Sequence, residues 1–282
     1  MPLKRRSQRQ RLPALLVAAA WLLGSGCNPA VENKLNAVKR AGELVVLTRN
    51  SPTTYYEGPD GPTGFEYDLA RAFADRLGVI LHMKTADRFG DILPMIARGE
   101  ADFAAAGLTV TALRAEQVRF TPHYQIIRQQ VIHHAKTTRP SDVKGLVSRH
   151  IEVVAGSSYL ERLEQLRTQY PQLTWMTVSN METEELLLQV QEGLTEFTIS
   201  DSNIVAISRQ FNPDLRIAFD LGESELLAWA FPPNTDDSLY QEATRFIEAM
   251  RASGDIDHLI ERHYGAASRF NPINIAAFLQ RI

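Results

Sequence analysis

Ala101-Asp102-Phe103-Ala104-Ala105-Ala106-Gly107-Leu108-Thr109-Val110-Thr111-Ala112-Leu113-Arg114 is a short apolar run that ends at a glycine, passes through small hydroxyl residues and arrives at one arginine. Two readings fit it. As an anion site, Gly107 lets backbone approach a ligand closely, Thr109 and Thr111 offer hydroxyls, and Arg114 presents a planar fork that matches a carboxylate. As plain architecture, it is a buried strand followed by a helix cap, with Thr111 as N-cap and Arg114 in a solvated first turn. The flanking chain has to decide.

Upstream, residues 43–48 are almost continuously apolar, which suits a strand buried on both faces, and Pro52 among small polar residues enforces a loop after it. Residues 65–77 place Leu69, Phe73 and Leu77 four apart, the stripe of an amphipathic helix, and Gly78 stops it. A strand over 79–83 and a helix over 92–97 lead into the opening stretch. Strand, helix, strand, helix, strand is the grammar of a parallel sheet covered by helices. In such sheets ligands bind beyond the carboxyl ends of the strands.

The same grammar returns downstream. Residues 151–155 repeat the first strand and end in Gly156-Ser157-Ser158. A helix over 159–170, a strand near 173–178, a helix over 183–192 and a strand over 196–200 follow, the last delivering Asp201. The reading is therefore α/β with two lobes. Lobe 1 takes residues 37–126 and 227–268, and lobe 2 takes 127–226. Residues 28–36 form a tether and 269–282 begin a linker.

Length and composition agree with two lobes: 282 residues are more than one compact domain usually holds. Lys4, Arg5, Arg6, Arg9 and Arg11 precede an apolar run over 14–23, and Gly24-Ser25-Gly26 lead to Cys27. That is the pattern of a signal peptide over 1–27. The run is too short for the roughly 30 Å hydrocarbon core. Cys27, the sole cysteine, excludes an intrachain disulfide and resembles the lipidated residue of a bacterial lipobox, although Gly24 stands where the lipobox leucine is expected. Removing the five basic residues takes the formal charge from −3 to −8. An acidic chain with scattered Lys and Arg has no basic patch for nucleic acid.

Several segments resemble the type II periplasmic solute-binding proteins for polar amino acids. They are Gly64-Phe65-Glu66-Tyr67-Asp68-Leu69, Gly99-Glu100-Ala101-Asp102, Thr109-Val110-Thr111 with Arg114, Phe120-Thr121-Pro122-His123-Tyr124, Ala155-Gly156-Ser157-Ser158, and Gly254 through Tyr264-Gly265. They occur in order over nearly all of 43–265. Residues 48–55, the alanines before Gly107 and Ser200-Asp201-Ser202-Asn203 narrow the resemblance to the N-terminal regulatory module of the membrane-bound lytic murein transglycosylase F family. That family joins such a module to a C-terminal domain that cleaves peptidoglycan, which this chain is expected to lack.

The resemblance implies a two-lobed fold of the type II periplasmic binding class, each lobe a mostly parallel sheet flanked by helices. It implies a small amino-acid or muropeptide ligand, with Arg114 on the α-carboxylate. Thr109 and the backbone near Gly107 and Leu108 would help, with Ser157 and Ser158 as further donors at a helix N-terminus. Asp201 would take the ammonium group, and Tyr55 would line the side-chain pocket. For Asp201, Ser157 and Ser158, helix capping is the competing structural role. A lipid anchor at Cys27 would place the chain at the outer membrane, facing the periplasm. Two alternatives stand beside this: a fragment of a lytic transglycosylase whose catalytic half is missing, and a free-standing receptor for an amino-acid importer.

Other chemistries find little support. No cofactor is expected, since no Walker loop or dinucleotide fingerprint occurs, and no metal site, since His133 and His134 point to opposite faces of one strand. Gly156-Ser157-Ser158 lacks the spacing of a nucleophile elbow. Glu223-Ser224 repeats a transglycosylase catalytic dipeptide without its helical surroundings and reads as coincidence, so no catalytic residue is assigned.

Overall fold

The computed structural model describes residues 33–233 and 236–265. The expected signal peptide, Cys27 and the expected linker over 269–282 lie outside the described residues.

The chain begins with α1 (Lys34–Ala41), whose N-cap Asn33 accepts from Asn36 N. β1 (Glu43–Thr48) follows, then the hairpin β2 (Tyr56–Gly58) and β3 (Gly61–Thr63), then α2 (Phe65–Leu77). α2 buries Phe65, Leu69, Phe73 and Leu77 as their fourfold spacing predicts, and Gly78 ends it at φ 72°. β4 (Ile80–Thr85), α3 (Ile92–Ala97), β5 (Phe103–Ala104), α4 (Ala112–Ala115) and β6 (Arg119–Phe120) complete the first pass. The long strand β7 (Gln125–His134) carries the chain into the second lobe. There β8 (Ile151–Val154), α5 (Ser158–Arg167), β9 (Met176–Val178), α6 (Thr183–Glu192), β10 (Phe197–Asp201) and α7 (Ser202–Phe211) follow in turn. β11 (Leu215–Leu227) brings it back to β12 (Ala230–Phe231), α8 (Asp237–Ser253) and α9 (Asp255–Tyr264).

Two five-stranded sheets result, ordered β4-β1-β5-β12-β6 and β11-β7-β10-β8-β9. β4, β1 and β5 run parallel, as do β10, β8 and β9. The remaining pairs are antiparallel. The sheets are thus more mixed than a mostly parallel reading expects, because the strands carrying the chain between lobes enter each sheet against its grain. Between β7 and β8 the chain makes a single 3₁₀ turn, Val143–Leu146. Glu223-Ser224 sits in β11, where the register is irregular, and not on a helix.

The crossings between the sheets are knitted together. Tyr124 N donates to Leu227 O at 3.0 Å and Thr121 N to Trp229 O at 3.0 Å. The opening stretch joins the same seam: Val110 N donates to Leu226 O at 2.8 Å, and Ala228 N to Leu108 O at 3.1 Å. Trp229, fully buried, packs with its ring centroid 4.6 Å from that of Phe103 and 5.7 Å from that of Phe73.

One carboxylate fastens this seam. Glu66, in the first turn of α2 and 1% exposed, accepts from Gly107 N at 2.8 Å, from Trp229 Nε1 at 2.9 Å and from the Tyr124 hydroxyl. Burial raises its pKa, and the three donors oppose that rise. Replacing Glu66 by leucine leaves three buried donors without an acceptor, at about 1–3 kcal/mol each. Urea unfolding of Glu66→Leu is expected to show a loss of about 3 kcal/mol or more; a loss below 1 kcal/mol would mean these donors find other acceptors.

Candidate functional site

The predicted residues arrive at the cleft from the ends of three strands, by way of the turns that follow them. Gly107 adopts φ 65°, which favours glycine, and its N–H is taken by Glu66. Thr109 follows on the turn out of β5. From lobe 2, the turn after β8 carries Gly156 at φ 76° and sets Ser157 and Ser158 at the start of α5. Asp201 ends β10 and begins α7.

Gly107, Thr109, Ser157, Ser158 and Asp201 line one cavity of about 20 Å³, together with Arg49 and Phe89. The lobes meet across it, with Ser158 Oγ donating to Thr109 Oγ1 at 3.0 Å. Gln129 Nε2 donates to Ser158 Oγ at 3.0 Å, and Ser157 Oγ turns back to Val154 O at 2.6 Å. Asp201 occupies the N-cap position of α7, yet its side chain makes no capping bond. Its N–H donates to the Tyr159 hydroxyl at 3.0 Å, while its Oδ1, in a residue 5% exposed, has no partner among the described residues. Burial pushes the Asp201 carboxyl up to about 7, even though the charges of Arg49 and Arg114 pull it down.

Both readings of the opening stretch meet at Arg114. Thr111 caps α4, accepting from Arg114 N at 3.2 Å. The Arg114 side chain, however, is 2% exposed and reaches across to lobe 2. Its Nε bonds Glu161 Oε1 at 2.6 Å, Nη2 donates to Gly156 O at 3.0 Å, and Nη1 to Thr109 O at 3.4 Å. It stands beside the cavity without lining it. Leu108 is fully buried in the core beneath. Tyr55 lies outside the cavity, its hydroxyl on Glu57 at 2.5 Å and its ring 5.8 Å from that of Tyr67.

Arg49 is the buried cleft residue to which the sequence assigns no role. It follows β1 and is 4% exposed. Nη1 pairs with Glu182 at 2.7 Å and Glu184 at 3.2 Å, both at the start of α6, and Nη2 donates to Thr53 Oγ1 at 3.2 Å. Burial opposes its charge, but Glu184 and Glu182 outweigh burial, so the guanidinium stays protonated. Its only signal was an arginine in the loop leaving the first strand. Outside this pair a second cavity of about 410 Å³ opens between the lobes, walled by Asp87, Arg88, Phe89, Glu182, Glu184 and Glu185. Among the described residues no group of three or more His, Cys, Asp or Glu is placed to hold a metal ion, and no helix is long and apolar enough to cross a membrane.

The profile of the bacterial extracellular solute-binding proteins, family 3, matches residues 44–266. The chain is 38% identical over 266 residues to the membrane-bound lytic murein transglycosylase F of Saccharophagus degradans, covering 94% of this chain and 52% of that protein. It is 40% identical over 269 residues to the membrane-bound lytic murein transglycosylase F 1 of Alkalilimnicola ehrlichii, covering 95% and 54%. The chain thus spans about half the length of the curated relatives it matches. Among solved structures, an amino acid ABC transporter substrate-binding protein from Streptococcus pneumoniae bound to L-arginine superposes with a TM-score of 0.73 at 24% identity. That match covers 83% of this chain and 98% of the other. An ancestral arginine-binding protein bound to arginine gives 0.71 at 23%, covering 79% and 99%. At such identities the likeness is one of fold.

The lobes touch where Gly90 meets Gly156: a Cβ on Gly156 would fall 2.6 Å from Gly90 Cα. Gly156→Ala is therefore expected to hold the lobes apart. Small-angle scattering should give it a larger radius of gyration than the unaltered protein; equal radii would show that the contact does not limit closure.

Proposed function

Since the chain belongs to the bacterial extracellular solute-binding proteins, family 3, we propose that its cleft closes over a small amino-acid-like or peptidoglycan-peptide ligand, and that this closure regulates cell-wall turnover from the periplasm. The observation that carries the reading is the buried Asp201 carboxylate, whose Oδ1 has no partner among the described residues, in a residue that lines the small cavity with Arg49 and several hydroxyls. A buried acceptor without a partner is costly in a native fold. A ligand ammonium group would satisfy it.

The carboxylate end of the ligand goes to Arg114. Glu161 now pairs with the Nε edge of the guanidinium, an arrangement that supports this reading; in it a ligand carboxylate takes the place of Glu161, supported by Thr109, Ser158 and the N-terminus of α5. Binding at the junction of both lobes favours the closed arrangement only through contacts that arrangement alone makes, and every residue named here lies at that junction.

The regulatory role rests on the relatives, which are named membrane-bound lytic murein transglycosylases and are about twice as long as this chain. In this reading the peptidoglycan-cleaving activity belongs to the part of those proteins that this chain does not match, and this module senses fragments of the wall. Cys27, behind its signal peptide, supplies a lipid anchor to the outer membrane.

Calorimetric titration with free amino acids and with peptidoglycan stem peptides tests this directly; heat is expected from one of the two sets, and no heat from either would overturn it. Arg114→Ala should weaken binding by about 2–5 kcal/mol. The pH profile carries a definite sign. With its carboxyl raised to about 7, Asp201 is protonated at pH 5 and must lose a proton to receive an ammonium group, so affinity should climb as pH rises through 7 and the climb should vanish in Asp201→Asn. Without ligand the same group acts in reverse, its contribution to stability being present at low pH and lost as pH rises through about 7.

A further inference from the structure

The two buried arginines of the cleft are each met by glutamates of the opposite lobe, but they spend their donors differently. Arg114 uses Nε on Glu161 and its terminal nitrogens on the carbonyls of Gly156 and Thr109. Arg49 uses only its terminal nitrogens, on Glu182, Glu184 and Thr53. Its Nε–H, in a side chain 4% exposed, has no partner among the described residues. Arg49 lines the small cavity with Asp201, whereas Glu182 and Glu184 line the outer one. The guanidinium therefore stands between the two spaces, its terminal Nη1 turned toward the outer acids.

A buried guanidinium N–H is as costly to leave unpaired as a buried carboxylate oxygen. The acceptor that suits it in charge and geometry is a second carboxylate. From this spare donor, on a side chain that lines the cavity together with Asp201, we infer that Arg49 sets the side-chain specificity of the site, which takes an amino acid or peptide bearing an anionic side group. The inference rests on the reading above, in which Arg114 receives the α-carboxylate and Asp201 the ammonium. Two guanidiniums and one carboxylate are the complement of two carboxylates and one ammonium.

The protein's own side chains display the pattern, with Glu161 on one arginine and Glu182 and Glu184 on the other. The rest of the small cavity's polar wall is neutral, made by the hydroxyls of Thr109, Ser157, Ser158, Tyr159 and Thr183. A cationic side group would find Asp201 alone to share with the ammonium, and would lie against Arg49. The plainer alternative is that Arg49 only pins the loop after β1 to lobe 2. That accounts for Nη1 and Nη2 and leaves Nε without a role.

The test compares a carboxylate with its isosteric amide. The full chain is titrated calorimetrically with L-glutamate, L-glutamine and L-arginine, and with glycyl-glutamate against glycyl-glutamine to cover a peptide ligand. The acid is expected to bind at least about tenfold more tightly than the amide, with L-arginine weaker than L-glutamate. Arg49→Gln should bring the acid-to-amide ratio toward one, and Arg49→Lys should keep part of it; thermal melting checks that each variant is folded. Glu182→Gln combined with Glu184→Gln removes the competing carboxylates and should raise affinity for the acid several-fold. Tighter binding of the amide or of L-arginine, a ratio unchanged in Arg49→Gln, or a lowered acid affinity in the double variant overturns the inference while leaving the binding reading intact. Silence from every probe overturns the inference, and the binding reading falls with it only when the stem peptides are silent too.

Discussion

A single buried carboxylate sets the geometry on which the rest of this protein depends. Glu66 accepts from Gly107 at the cleft, from Tyr124 where the chain leaves lobe 1 and from Trp229 where it returns. Those groups come from three separate stretches, and no local preference would bring them to one point. A carboxylate can hold several donors at once because each of its two oxygens offers more than one lone-pair direction. In a buried setting the donors make the charge tolerable, and the charge makes the donors' positions expensive to change. The backbone at the cleft is thereby tied to the backbone through which the lobes are joined.

A second set of charges acts between the lobes. Arg49 with Glu182 and Glu184, and Arg114 with Glu161, span the cleft at 2.6–3.2 Å. Buried ion pairs of this kind offset much of their attraction with lost hydration, so they are poor sources of net stability. They are good sources of register, because a guanidinium taken from its carboxylate in a dry site has no cheap substitute. The acids at the start of α6 are favourable there for a local reason too, lying at the positive end of the helix. Helix and ion pair therefore ask for the same residues.

The periodic parts of the fold were legible in the sequence, since an apolar stripe reports which face of a helix is buried. Residues 65–77 and 183–192 match α2 and α6 end to end. The placement of Asp201, Ser157 and Ser158 at strand ends was legible as well, because the chain of a covered sheet must turn there. Arg49 and Glu66 were not. Arg49 finds its acids more than 130 residues away, and in sequence it is one cation in a polar loop. Glu66 reads locally as an acid placed to suit the helix dipole, a role it fills without revealing the three donors that converge on it. Tyr55 failed for the opposite reason: its neighbours in sequence, Glu57 and Tyr67, claim its hydroxyl and its ring.

Thr111 and Arg114 show why the opening stretch supported two readings equally. A helix cap needs a hydroxyl that accepts a backbone N–H, and an anion site needs a guanidinium at a strand end; the two demands fall on different atoms. Thr111 meets the first with its side chain, and Arg114 supplies the N–H for that bond while its guanidinium goes elsewhere. A four-residue helix fixes the start of that side chain, and its cap fixes the helix. The cap is thus what aims the arginine. The same economy holds at Asp201, which opens α7 without capping it and so keeps an oxygen with no partner among the described residues.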